Sequence, residues 1–289
     1  QRSGNFSVAE ASREKVYGIL SFFEKYRNEY GLLENLESWV FVEWSMANDE
    51  EFIKGINFPS NMLYAKAVES AGLLYSDGAL LEKAEKVRSA VREYSFNGEF
   101  FEDNRVRCEG GTKLLGHITE TCQYYAFFSG VATPQTYPKL FELLTEKFGA
   151  TRDVRMTYPQ VYKSNAFIGN YLRLMMLARS DKRTQLRQEC VDFFYGMAQK
   201  TGTLWENDNP CGSLDHGFAS YAANLLVGYV SGFAGVHGNK ILFTDAAEKI
   251  DCRIRIPVGK EELIFERTDG VEKIQIPQGY ERADVREAF

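Results

Sequence analysis

Histidine and cysteine are the scarce residues of this chain, with three of one and five of the other among 289. Cys108, Cys122, Cys190, Cys211 and Cys252 form no Cys-x-x-Cys pair and show no metal-ligand spacing. That excludes a zinc module and a disulfide scaffold, and the odd count leaves at least one thiol unpaired. Glycine-rich phosphate loops, nucleophile elbows and metal-binding sets are missing too, so no cofactor and no metal is called for. Long apolar runs are also absent. The most apolar stretch, Ala222 to Val236, is interrupted by Asn224, Ser231 and three glycines. It falls short of the ~20 residues a membrane span needs, and no membrane partner is expected. Cationic residues are outnumbered, 34 Lys and Arg against 40 Asp and Glu, for a net charge of −6. A nucleic-acid partner is excluded on that balance, because phosphate binding needs clustered positive charge.

What is present is the make-up of a globular protein. Hydrophobic residues are 44% and charged residues 26%, with a mean hydropathy of −0.33. The length supports one large core or two small ones. Aromatics reach 14%, with 16 Tyr and 21 Phe. That excess fits a sugar- or ring-binding cleft and fits large aromatic cores equally well.

Hydrophobic spacing predicts helices over most of the chain. Val16, Ile19, Leu20 and Phe23 share one face of a helix from about Ala9 to Tyr30. A second runs from Ser60 to Tyr75, and a third carries Leu80, Ala84, Val87, Val91 and Tyr94 on one stripe. A fourth covers Lys113 to Val131. Thr133-Pro134 reads as a cap and first-turn proline for a fifth, ending near Phe148. Ser164 reads as the cap of a sixth, a seventh ends at Lys200 before Gly202, and an eighth begins near Ser213. After Cys252 the period switches to two, with a hairpin turning at Asp269-Gly270. The expected fold is therefore all-α, a set of stacked helical hairpins over residues 1–238, followed by a short β-strand segment over 239–289. The long connections Leu32–Phe58, Phe96–Thr112 and Ala150–Lys163 are the places to look for function. Within them, Glu99, Glu102 and Asp103 read as a solvated acidic loop.

Two segments place tryptophan beside acid. One is Trp39-Val40-Phe41-Val42-Glu43-Trp44. The other is Thr203-Leu204-Trp205-Glu206, followed closely by Asp215-His216. An indole face can stack on the C–H face of a sugar while a neighbouring carboxylate handles a proton at the anomeric centre. On pattern alone, Glu43 is equally a core-edge acid and His216 equally a structural histidine.

These segments, in this order, resemble those of bacterial α-L-rhamnosidases. Trp39 to Trp44 resembles the family's Trp-x-Phe-Val-Asp-Trp segment, and Cys122 to Gly130 its glutamine-bearing helix. Thr203 to Glu206 is similar to its Thr-x-Trp-Glu segment, and Ser213 to Ser220 to its Ser-x-Asn-His segment. The resemblance spans roughly Val16 to Val236. It implies an (α/α) toroid of six hairpins with flanking β-sandwich domains, acting on a carbohydrate substrate. It also implies an inverting mechanism, in which an acid protonates the leaving oxygen and a second carboxylate, about 6.5–9.5 Å away, activates water. By the same resemblance Glu206 is the general base, and Trp39, Glu43, Trp44, Trp205 and His216 line the sugar pocket. A periplasmic or extracellular site of action goes with it.

The chain departs from the pattern in two places. Asp215 stands where the family has Asn, and no stretch matches the family's Asp-Cys-Pro-x-Arg general-acid segment. Eight predicted helices against the toroid's twelve, and a first residue other than Met, lead to the expectation of a piece of a longer enzyme whose remaining N-terminal part completes the ring. Two other readings stay open: a non-catalytic carbohydrate-binding or scaffold domain, and another toroid enzyme such as an unsaturated glucuronyl hydrolase or a polysaccharide lyase.

Overall fold

A computed structural model describes residues 6–165, 168–245 and 248–285. The chain opens with helix α1 (Ser7–Glu24), whose stripe of Leu20 and its neighbours lies on the following helices. A long connection contains a short 3-10 turn, Met46–Asn48, and helix α2 (Glu50–Ile53). Next come α3 (Phe58–Tyr75) and α4 (Gly78–Ser95), a hairpin of helices closed by two residues. Each has a chemical start. Asn57 accepts the amide of Ser60 at 2.9 Å ahead of α3. Asp77 accepts the amides of Ala79 and Leu80 ahead of α4, which satisfies donors that the first turn leaves unpaired.

Helix α5 (Glu120–Ser129) is the centre of the molecule. Nearly every one of its residues is buried, and it packs against α3 on one side and α7 on the other. Then follow α6 (Pro138–Lys147), α7 (Gly169–Arg179), α8 (Arg183–Thr201) and the short α9 (Tyr221–Leu225), which widens into a π turn over Leu226–Val230. The core is divided. The larger cluster spans α1 to α7, a second joins α7, α8 and α9, and a third lies among strands near the C-terminus.

The all-α expectation is wrong. Among the described residues, nine strands form three three-stranded sheets, and they are not confined to the last fifty residues. Strands β1 (Ile56–Asn57), β2 (Asn104–Cys108) and β3 (Gly111–Leu114) pair antiparallel within the helical part. The fourth expected helix therefore begins at Glu120, not Lys113. Thr119 caps it, accepting the Cys122 amide at 3.0 Å. Thr133 and Thr136 bond each other in a local turn, and the fifth expected helix starts only at Pro138. The last expected helix starts later than Ser213, as a 3-10 turn over Gly217–Ser220 that leads into α9 and its π turn, and it ends for a visible reason. Gly232 has φ +87°, and a Cβ there would sit 2.8 Å from the Thr244 carbonyl. The backbone turns at that glycine into strand β4 (Phe233–His237), which pairs with β5 (Lys240–Phe243). Valine and phenylalanine in that stretch suit a strand at least as well as a helix.

Strand β6 (Cys252–Val258) pairs with β7 (Glu261–Thr268), and β7 pairs with β8 (Val271–Gln275). The hairpin read at Asp269-Gly270 is present, with both residues at positive φ, 51° and 75°, the conformation a two-residue turn of this hand demands. Strand β9 (Glu281–Asp284) returns to lie parallel to β5. The division expected at 238/239 falls in the turn between β4 and β5.

Candidate functional site

Three long connections meet beside the N-terminus of α7. The first carries Glu43, whose carboxyl group is wholly buried. It accepts hydrogen bonds from the hydroxyls of Thr121 and Ser45, the latter at 3.0 Å, and from the backbone amides of Gly169 and Asn165. The Gly169 amide opens helix α7. A Cβ at Gly169 would lie 2.8 Å from one Glu43 oxygen and 2.3 Å from Ser164 Cβ, so only glycine lets the helix end approach this closely. Burial pushes the Glu43 pKa up, and the four donors pull against that shift.

The second connection is the loop after α8. Gly202, at φ +76°, ends that helix. The chain then folds back on itself. The Glu206 amide donates to the Ser213 carbonyl at 2.9 Å, and the His216 amide to that of Leu204 at 2.9 Å. The Ser213 amide returns to Glu206 Oε2 at 3.1 Å. Glu206 and His216 thus stand together, with Oε1 and Nε2 4.0 Å apart and both side chains roughly a quarter exposed. Gly212 makes room for this pair. Its φ is +82°, and a Cβ there would lie 2.9 Å from Glu206 Oε2.

Asn165 joins the two connections. Its side-chain Nδ2 donates to the Trp44 carbonyl at 2.6 Å and to Asn207 Oδ1 at 2.7 Å, and its Oδ1 accepts from the Asp208 amide at 3.0 Å. Asn165 thus joins the Trp39–Trp44 and Thr203–Ser213 segments, and nothing in the sequence singles it out. It stands beside Ser164, the expected cap of this helix. The Ser164 hydroxyl bonds Glu120 instead, while α7 begins at Gly169 without a side-chain cap.

The six predicted residues separate into three groups. Glu206 and His216 face each other, both partly exposed. Trp44 is 42% exposed and Trp39 68% exposed. With Phe41 they form an aromatic cluster, ring centroids 4.8–5.9 Å apart, of which Trp39 and Phe41 line an apolar groove of about 450 Å³ shared with Phe22, Leu63 and Tyr125. Glu43 and Trp205 need correction as sugar contacts. Glu43 is sealed beneath its four donors. Trp205 is 4% exposed within the cluster of α7, α8 and α9. Its indole N–H donates to Thr201 at 2.8 Å, so it anchors the loop from below and presents no face.

A second correction concerns the acidic loop. Asp103 is fully buried and Glu102 nearly so. Asp103 accepts the amide and hydroxyl of Thr119, both at 2.7 Å. Burial nevertheless raises its pKa to about 8, with Glu102 adding to the shift. On α5, Glu120 pairs with Arg152 at 2.6 Å with neither side chain exposed, and Tyr124 donates to Glu120 at 2.9 Å. Burial raises the Glu120 pKa against the pull of Arg152. No cluster of His, Cys, Asp and Glu able to hold a metal occurs among the described residues, and no described helix is long and apolar enough to cross a membrane.

No protein-family model matches the chain, and no curated protein matches it in sequence. Solved structures do. A GH78 family rhamnosidase of Bacillus sp. GL1 superposes with a TM-score of 0.77 at 16% identity, over 98% of this chain and 31% of that one. A rhamnosidase from Klebsiella oxytoca, with rhamnose bound, superposes with a TM-score of 0.56 at 11% identity, over 78% of this chain and 43% of that one. The fold is rhamnosidase-like, and the chain spans about a third of the first protein and less than half of the second.

Proposed function

We propose that this chain is a portion of an inverting α-L-rhamnosidase-like glycoside hydrolase, with the sugar bound over Glu206, His216 and Trp44. The observation that carries the reading is the partly exposed Glu206–His216 pair, on a loop that Asn165 joins, through Asn207 and Asp208, to the backbone of the exposed Trp44. On this proposal the carboxylate, the hydrogen-bonding imidazole and the aromatic face act on one sugar, the set a pyranose needs. In this reading Glu206 takes the proton of a water attacking the anomeric carbon opposite the leaving oxygen. His216 bonds a sugar hydroxyl and helps orient the carboxylate. Glu43 and Trp205 hold the two loops in place. The helical part is a segment of a ring of helical hairpins, completed by the remaining N-terminal part of the same protein, and the C-terminal strands begin a β-sandwich.

One observation favours the second reading, a carbohydrate-binding domain without catalysis. Inversion needs two carboxyl groups facing the sugar, and sealing Glu43 leaves one in the cleft. Titration of the chain with L-rhamnose, followed by calorimetry, tests what both readings share. Saturable binding that weakens about three- to tenfold in Trp44→Ala is expected, the size of one lost stacking contact. No rhamnose binding by the unaltered chain would remove both.

A further inference from the structure

Asn165 is 8% exposed, and all of its polar groups are spent on other segments. Its backbone amide goes to the Glu43 carboxyl group. Its backbone carbonyl accepts the Asn170 amide at 3.0 Å, inside the first turn of α7. Both hydrogens of its side-chain amide are used, one on the Trp44 carbonyl and one on Asn207, and the side-chain oxygen takes the Asp208 amide. One residue at the entry to α7 thus holds the backbone beside the exposed tryptophan and the backbone beside Glu206 at a fixed separation.

We propose that Asn165 is the positioning residue of this site, a latch that sets the Glu206 loop against the Trp44 segment. It touches no substrate and acts through the residues it joins; that a sugar occupies the resulting cleft rests on the function proposed above. The chemistry requires an amide. Two acceptors and one donor converge on it, and a buried polar group facing an unsuitable partner is costly. Aspartate keeps the acceptor for Asp208 but sets a carboxylate against two oxygens that offer no proton. Alanine removes all three bonds. Asn207→Ala removes one bond from the exposed side of the latch, together with the bond of Asn207 to the Cys211 carbonyl within the loop, and leaves α7 intact.

Amide hydrogen exchange of the 289-residue chain reads the latch without any ligand. In Asn165→Ala the Asp208 amide should exchange about tenfold faster or more, with the rise confined to residues 206–213 and α7 unchanged. Asn207→Ala should give a smaller rise at the same amides. Asn165→Asp should keep the Asp208 amide protected while loosening the Asn207 side. The second readout is L-rhamnose affinity, which should fall about tenfold in Asn165→Ala while the unfolding midpoint moves by only a few degrees. Unchanged protection at Asp208 in both alanine variants would overturn the latch. Protection lost across α7 and α8 together would make Asn165 a general stabiliser instead. If the unaltered chain binds no rhamnose, the functional reading fails while the exchange data still decide the latch.

Discussion

Glu206 and Glu43 show how two similar acids acquire different work. Glu206 rests on a loop that folds back on itself, accepts one amide and keeps an open side toward His216. Glu43 is enclosed by four donors and the end of a helix. Space around Glu206 depends on Gly212. Gly212→Ala must adopt a left-handed backbone at a cost of about 1–2 kcal/mol and pushes a methyl into the carboxylate. We expect a lower urea midpoint together with weaker rhamnose binding. An unchanged affinity would mean the Glu206 carboxylate is not a sugar contact. Asp103 gives a prediction in pH. Burial lifts its folded-state pKa from an ordinary 3.8 to about 8, so the folded chain holds a proton that the unfolded chain releases. Stability is then greatest below pH 4 as far as this group is concerned, and falls as pH rises toward about 8. Asp103→Asn keeps an acceptor for the Thr119 amide and can donate to its hydroxyl. Urea unfolding at several pH values should show the variant gaining on the parent between pH 4 and 8, and parallel curves would contradict this account.

At the scale of elements, the long connections are held by buried polar chemistry more than by apolar packing. Arg152 is the plainest case. It pairs with Glu120 and donates to the carbonyls of Thr157, Tyr158 and Val161, pinning the connection between α6 and α7 to the central helix. Arg152→Met keeps the apolar stem and strands a buried carboxyl group, which costs about 3–5 kcal/mol. The double variant with Glu120→Gln should recover part of that loss in urea unfolding. If the single variant is neutral, the pair contributes nothing to stability. Helix stripes such as that of α4 and the strand period after Cys252 were legible in the sequence, because each repeats a contact along the chain. The sheet of β1, β2 and β3 was not. Asn104-Arg105-Val106-Arg107-Cys108 is short and polar, and its partner Ile56-Asn57 lies far away in sequence. The acidic run at Glu102-Asp103 misled for a related reason. Charge implies solvent only while the partners are unknown, and Thr119 and Gly116, which bond these acids, are more than ten residues along the chain.

For the whole molecule, the pairing of Trp39–Trp44 with Thr203–His216 was readable as motifs, while the residue that joins them was not. Asn165 is an ordinary polar residue before a helix, and its importance comes from three segments converging on it. The rhamnosidase-like fold gives the cleft a context. The absence of a sequence match to the family's general-acid segment gives it a chemical signature. In the function proposed above, that acid belongs to the remaining part of the protein. The chain alone should therefore be inactive or nearly so on aryl α-L-rhamnosides, since lost acid assistance costs about 10²–10⁴-fold. The most direct measurement is hydrolysis of the activated 2,4-dinitrophenyl α-L-rhamnoside by the whole enzyme carrying Glu206→Gln, a change that keeps size and the acceptor for the Ser213 amide while removing the ability to take a proton. The account predicts a fall in kcat of about 10²–10⁴-fold with rhamnose affinity within about threefold of the parent. A Glu206→Gln enzyme that hydrolyses the activated rhamnoside at the parent's rate would contradict it.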